Sequence, residues 1–172
     1  WQEGTWVDEE VPDMEQAIVS AVTHDTSEAK MTLAGVPDQP GVAATVFRAL
    51  ADLEVNVDMI VQNVSDHGVT DISFTVPHAD LARAVEHTQR LATEVGAGGV
   101  TSDDSIARVS VVGAGMRSNP GVAATMFETL AAAGVNIQMI STSAIRVSCV
   151  VDGERVEDAV RSLHEAFGLA EA

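Results

Sequence analysis

The chain has 172 residues, enough for one medium domain or two small ones of roughly 75 to 80 residues each. Apolar residues make up 46%, so a packed core is within reach, while 9 basic against 26 acidic residues give a net charge of −17. That charge argues against nucleic acid and anionic membranes as partners. No apolar run approaches the roughly 20 residues needed to cross a bilayer, and no signal peptide is evident. The single cysteine, Cys149, lies in an apolar run and reads as core. The expected setting is the cytoplasm.

In chain order, residues 1–16 come first, rich in acidic side chains and holding both tryptophans, Trp1 and Trp6. They read as a linker, the remnant of a preceding segment. An apolar run, AIVSAV, occupies 17–22. A β-rich run at 30–36 reads as a strand. The loop VPDQPGVAA leads into a helix with Val42, Val46, Leu50 and Leu53 at helical spacing. Strands are expected at 55–64 and 70–76, a helix at 81–95 and a strand at 99–103. The order then recurs. A strand at 108–112 precedes the loop GMRSNPGVAA. Val122, Met126 and Leu130 mark a helix that Gly134 stops. Strands at 135–143 and 145–151 and a helix at 155–167 complete the chain. Pro40 and Pro120 suit the first helical position, and Asn119 suits an N-cap.

The recurrence is a duplication. Residues 40–60 and 120–140 are identical at 13 of 21 positions, at an offset of 80. The upstream strands AKMTLAG and ARVSVVG match at an offset of 78. Each copy runs β-α-β-β-α and needs one more strand for a four-stranded sheet with helices on one face. The first copy supplies it at 99–103. The second has only a few residues after its last helix, so the run at 17–22 is expected to complete its sheet. The fold class is then α+β: two ferredoxin-like βαββαβ units, the first (26–104) inserted in the second (17–25 and 105–172), with antiparallel sheets.

The repeated Pro-Gly loop is the candidate binding feature. Helix starts present unpaired N–H groups and suit carboxylates. Gly41 and Gly121 allow close approach to the backbone. Asp38 and Asp58 are acceptors for an ammonium group, and the second copy has Gln138 where the first has Asp58. Gln62 and Asn63, or Thr142 and Ser143, can close the site. A helix start with a nearby acid makes a receptor for a free amino acid; the plainer alternative is ordinary loop punctuation. The segment from Gly113 to Ser118 lacks the third glycine of a dinucleotide fingerprint. The five histidines lack metal-ligand spacing. The pair Asp103-Asp104 reads as a turn. No catalytic residue, metal ligand or cofactor is nominated.

The segments SEAKMTLAGVPDQPGVAATVFRALADLEVNVDMIVQNVS, TDISFTVP and VSVVGAGMRSNPGVAATMFETLAAAGVNIQMISTSAIRVS, with LHEAFGL near the end, resemble the regulatory part of aspartate kinases of the β-subunit type. Met14 resembles the internal start of such subunits, and the preceding GTWV the tail of a catalytic subunit. The resemblance implies paired ACT domains, a homodimer through them, a catalytic aspartate kinase partner and feedback inhibition by threonine or lysine. The kinase signature is absent, so the chain is not expected to be an enzyme alone. Carried over, the effector site comprises Asp38, Pro40, Gly41, Val42, Ala43, Asn56, Val57, Asp58, Gln62 and Asn63, faced by Asn136 and Ile137. A pseudo-equivalent site comprises Gly121, Val122, Gln138, Thr142 and Ser143. The family has acids where this chain has Gln138 and Ala144, which favours threonine over lysine. Three rival readings remain: a sensor serving another enzyme, a dimerisation module with a dead pocket and, disfavoured because no catalytic constellation is visible, a small ferredoxin-like enzyme.

Overall fold

The computed structural model describes residues 18–63 and 67–169; the stretch 1–16 lies outside them. Eight strands and four helices follow in the order β1 (Ala21–Asp25), β2 (Glu28–Pro37), α1 (Val42–Asp52), β3 (Ile60–Gln62), β4 (Val69–Pro77), α2 (Leu81–Val95), β5 (Gly99–Asp103), β6 (Ile106–Val112), α3 (Gly121–Ala132), β7 (Met139–Thr142), β8 (Arg146–Asp152) and α4 (Val156–Ala166).

The strands form two antiparallel sheets. One has the order β3-β4-β2-β5 and the other β1-β6-β8-β7. The first sheet is built from consecutive strands of the first copy. The second is closed by the N-terminal strand, with Ala21 opposite Val112 and Asp25 opposite Arg108. The first βαββαβ unit is therefore inserted in the second.

Each sheet is amphipathic by the period of two. Met31, Leu33, Ile72, Phe74 and Val76 turn toward α1 and α2, where Val46, Leu50 and Leu91 meet them. Phe47 packs its ring edge-on against Phe74, centroids 5.5 Å apart. In the second unit Val109, Val111, Val147, Cys149 and Val151 meet Met126, Leu130 and Leu163. Burial pushes the Cys149 thiol up to about 12, so it is a core side chain and not a nucleophile.

The other face of each sheet is polar at its centre. Thr32 and Ser73 pair their hydroxyls at 2.9 Å, and Ser110 and Ser148 pair theirs at 2.8 Å. The helix-free faces of the two sheets meet through Met59, Ile106, Met139 and Val150, each at most 5% exposed. Burying such side chains contributes on the order of 1.5 to 3 kcal/mol each before ordering entropy. This small apolar contact holds the two units together.

Some expected elements shift. The N-terminal strand begins at Ala21, not 17, because the apolar run is used differently. Val19 enters the second core, and Ile18 crosses over Gly113 and Gly115. A Cβ on Gly113 would lie 2.0 Å from the Ile18 carbonyl oxygen. These glycines serve a close chain crossing, not a nucleotide. Residues 56–59 and 136–138 lie outside the strands, so β3 and β7 are short edge strands. Asn119 does not cap α3; its side-chain amide donates to the Gly115 carbonyl at 2.8 Å. α1 starts at Val42, one residue past its N-cap Gly41, whose φ of 98° is left-handed. Pro40 therefore precedes the helix, and Pro120 is the N-cap of α3 rather than its first residue.

Candidate functional site

The loop into α1 is ordered by its own backbone. The Asp38 amide donates to the Gly68 carbonyl at 2.9 Å, and the Gln39 amide to that of Pro37 at 2.9 Å. Asp38, Pro40 and Gly41 are exposed, while Val42 and Ala43 are half-buried against the first core. The space where a Gly41 side chain would stand is open for 4 Å. Among the described residues the Asp38 carboxylate has no partner, so it is available to a cation.

Beyond the helix, Asn56 is exposed, Val57 packs on the first core, and Asp58 is exposed. Asn136, Ile137 and Gln138 repeat that pattern against the second core. Among the described residues the backbones of 56, 57, 136 and 137 make no hydrogen bond. The Asp58 amide donates to the Thr75 carbonyl at 3.3 Å, and the Gln138 amide to that of Val150 at 2.8 Å. Gln62 ends β3, and the Asn63 carbonyl accepts from the Thr70 hydroxyl. Thr142 ends β7, and the Ser143 amide donates to the Arg146 carbonyl at 2.8 Å. Both segments are sheet edges with free backbone; residues 56–57 and 136–137 follow the C-terminal ends of α1 and α3, where the Val55 and Val135 amides donate to the Leu50 and Leu130 carbonyls.

The side chains of Asp58 and Gln138 are engaged elsewhere. Asp58 forms an ion pair with Arg108 across the boundary between units. Arg108 also pairs with Asp25 at 3.0 Å and Glu28 at 3.5 Å, and is itself only 13% exposed. Gln138 accepts from the Lys30 ammonium across the same boundary. Lys30 and Arg108 occupy one repeat position, and Asp58 and Gln138 another. The two contacts are copies related by the duplication. The Gln138 side chain therefore belongs to a strut between units in this structure.

Each strut is flanked by a matching turn. Ser27 donates its amide (2.8 Å) and hydroxyl (2.6 Å) to Asp25; Ser105 does the same to Asp103, at 3.0 and 2.6 Å. These bonds hold both carboxyls below the usual carboxylate range, with Arg108 adding to the effect at Asp25 and Lys30 at Asp103. Asp103 is the last residue of β5, and its carboxylate holds the turn that follows, where the sequence context implied a turn. Sequence reasoning missed Arg108, Lys30, Asp25 and Glu28. The available signal was a basic residue at the same position of both copies in a chain with few basic residues.

At the start of α3, Gly121 and Val122 line an open cleft of about 530 Å³, together with Ile18, Asn119, Thr125 and Phe167. Gln138, Thr142 and Ser143 are not among the residues that line this cleft.

The architecture defines a tandem of interleaved βαββαβ units, each with an exposed helix start and, beyond the end of the same helix, a free sheet edge. The ACT domain family model matches residues 31–90 and 109–167, once per unit. The aspartokinase of Mycolicibacterium smegmatis is 53% identical over 163 residues, which are 94% of this chain and 38% of that protein. The regulatory subunit of aspartate kinase from Thermus thermophilus, in its ligand-free form, superposes with a TM-score of 0.83 at 41% identity, over 87% of this chain and 99% of that one. A chain of the crystal structure of aspartokinase alpha and beta subunits matches with a TM-score of 0.82 at 47% identity, over the same shares. The chain belongs to the ACT domain family, among the regulatory regions of aspartokinases. It spans well under half the length of the curated relatives it matches. Among its described residues no helix is long and apolar enough to cross a membrane.

Proposed function

We propose that this chain senses a free amino acid, threonine above all, and passes its occupancy to an aspartokinase catalytic region as feedback inhibition in the cytoplasm. The observation that carries the reading is the repeated exposed helix start, together with an unbonded edge backbone beyond the end of each helix that a second copy can bring to it. An amino acid offers a carboxylate for the helix start and an ammonium for an acid and for edge carbonyls. The free Asp38 carboxylate fills the acid's role.

A single chain leaves this surface open. A second copy completes it by bringing Asn136 and Ile137 to the loop of Asp38–Ala43, so the working unit is a homodimer. Threonine is favoured over lysine because of the two candidate carboxylates, Asp38 and Asp58, the second is held by Arg108. One remaining acid serves an α-ammonium and leaves none for a side-chain ammonium. The ligand regulates by preferring the arrangement in which both walls of the site meet. The test is thermal unfolding of the chain with millimolar free amino acids in turn. Stabilisation by threonine supports the reading, since binding only the folded state adds about 2.7 kcal/mol at a hundredfold excess over Kd. A lysine-only response overturns the choice of ligand; no response to any amino acid leaves a structural ACT module.

A further inference from the structure

The first described residue, Ile18, stands on the wall of the cleft at the α3 start. It is 44% exposed, and its close crossing over Gly113 and Gly115 pins it there. Pro120, Val122, Ala166 and Phe167 supply the rest of the apolar lining of this space of about 530 Å³. Ala166 is exposed and Phe167 half-buried. α3 has no acidic residue in its first turn, and no side chain caps it. Its first N–H groups and the positive end of its dipole therefore lack an acidic partner within the helix. The residues that lead into Ile18 carry both missing elements. Val11, Pro12 and Met14 are apolar, Glu9, Glu10, Asp13 and Glu15 are acidic, and residues 1–17 hold no basic side chain.

We propose that the segment 11–14 folds back from Ile18 into this cleft, with Met14 against Val122 and Phe167 and the Asp13 carboxylate toward the α3 start. Met14 is four residues from Ile18, at most about 14 Å of extended chain. Only a near surface is in reach, and the cleft is the surface that Ile18 itself lines. A methionine side chain adapts to an irregular apolar space, and its sulfur makes favourable contacts with a ring edge. A carboxylate beside a helix start gains from the dipole and from the free N–H groups. The other end of the chain, Ala170, Glu171 and Ala172, offers only methyl groups to fill the space. So seated, the segment closes the α3 start to small ligands and leaves the α1 start as the open one. It also anchors the chain that precedes residue 11 to the second unit. This seating is independent of amino-acid binding at the α1 start.

The test joins the segment to the cleft. The double variant Met14→Cys/Ala166→Cys is treated with a short bis-maleimide at low protein concentration, beside Met14→Cys/Ala44→Cys, since Ala44 is an exposed residue of α1 in the other unit. Cys149 is fully buried and does not compete. A link within one chain, read by mass, is expected for the first pair and not for the second. A second measurement labels the methionine methyls with carbon-13. The Met14 methyl should show contacts to the Phe167 ring protons. Ala166→Arg should abolish those contacts, while the methyls of Met31 and Met126, in the two cores, keep their shifts. Equal linking of both pairs, linking of neither, a link of the first pair only between two chains, or Phe167 contacts from residues 170–172 in place of Met14 would overturn the proposal.

Discussion

Arg108 and Asp58, fifty residues apart in the chain, form an ion pair across the boundary between the two units. Arg108 sits in the central β6 of one sheet and Asp58 just before the edge strand β3 of the other. With Asp25 and Glu28 also on this arginine, one cation stands among three carboxylates, and Glu28 Oε2 is buried with no hydrogen-bond partner among the described residues. Removing the cation should therefore cost more than removing any one anion. Arg108→Ala should destabilise the chain by roughly 2 to 3 kcal/mol, somewhat less than a fully buried pair. Asp58→Ala should cost less than about 1 kcal/mol, since Asp58 is 48% exposed. Urea unfolding of both variants checks the order; equal losses would show that Arg108 holds nothing beyond Asp58.

Asp38 is the candidate acid with no structural partner among the described residues. Asp38→Asn should weaken amino-acid binding by about 1 to 3 kcal/mol, the worth of a charged hydrogen bond, and leave the ligand-free unfolding midpoint unchanged. Titration calorimetry beside a thermal scan separates the two effects. A drop in the ligand-free midpoint would assign Asp38 to the loop rather than to the ligand.

The crossing of Ile18 over Gly113 leaves no room for a methyl group. Gly113→Ala should force the N-terminal segment away and destabilise the second unit by about 1 to 3 kcal/mol, the usual cost of overpacking. Hydrogen exchange should show the amides of β1 losing protection first. Unchanged protection there would mean that β1 stays paired without the Ile18 crossing.

Asp25 and Asp103 have lowered folded pKa values, from the hydrogen bonds of Ser27 and Ser105 first. Their stabilisation is thus present above the unfolded carboxylate value of roughly 3.9 and disappears as the pH falls through the lower folded values. Ser27→Ala and Ser105→Ala should reduce stability near neutral pH, with the deficit shrinking in acid as the pH falls below the unfolded carboxylate value. Urea midpoints at neutral and acid pH read this directly. A deficit that persists in acid would place the effect in the turn backbone, not in the carboxylate.

The fold was legible where local pattern and tertiary structure agree. α2 and β5 fall where periodicity and flanking glycines put them, and the duplication carried the order of elements from one copy to the other. The N-terminal strand was displaced because an edge strand pairs through its backbone and needs no apolar run. The apolar residues there, Ile18 and Val19, instead anchor the segment. The edge strands β3 and β7 were expected too long, since ladder pairing covers only Ile60–Gln62 and Met139–Thr142, and the extent of pairing to a partner strand is not visible in one segment. For the candidate site, the loop of Asp38–Ala43 was visible as a helix start. The engagement of Asp58 with Arg108, and of Gln138 with Lys30, was not. Both depend on how two sheets face each other, and only the matched positions of Lys30 and Arg108 in the repeats hinted at it.

The most direct test of the central claim is threonine binding by equilibrium dialysis at protein concentrations that span the monomer–dimer transition. If the site of Asp38 is completed by Asn136 and Ile137 of a second copy, threonine bound per chain should rise with the dimer fraction, and threonine should tighten the dimer by the same factor. Binding that is independent of protein concentration, or absent at millimolar threonine, would contradict the account.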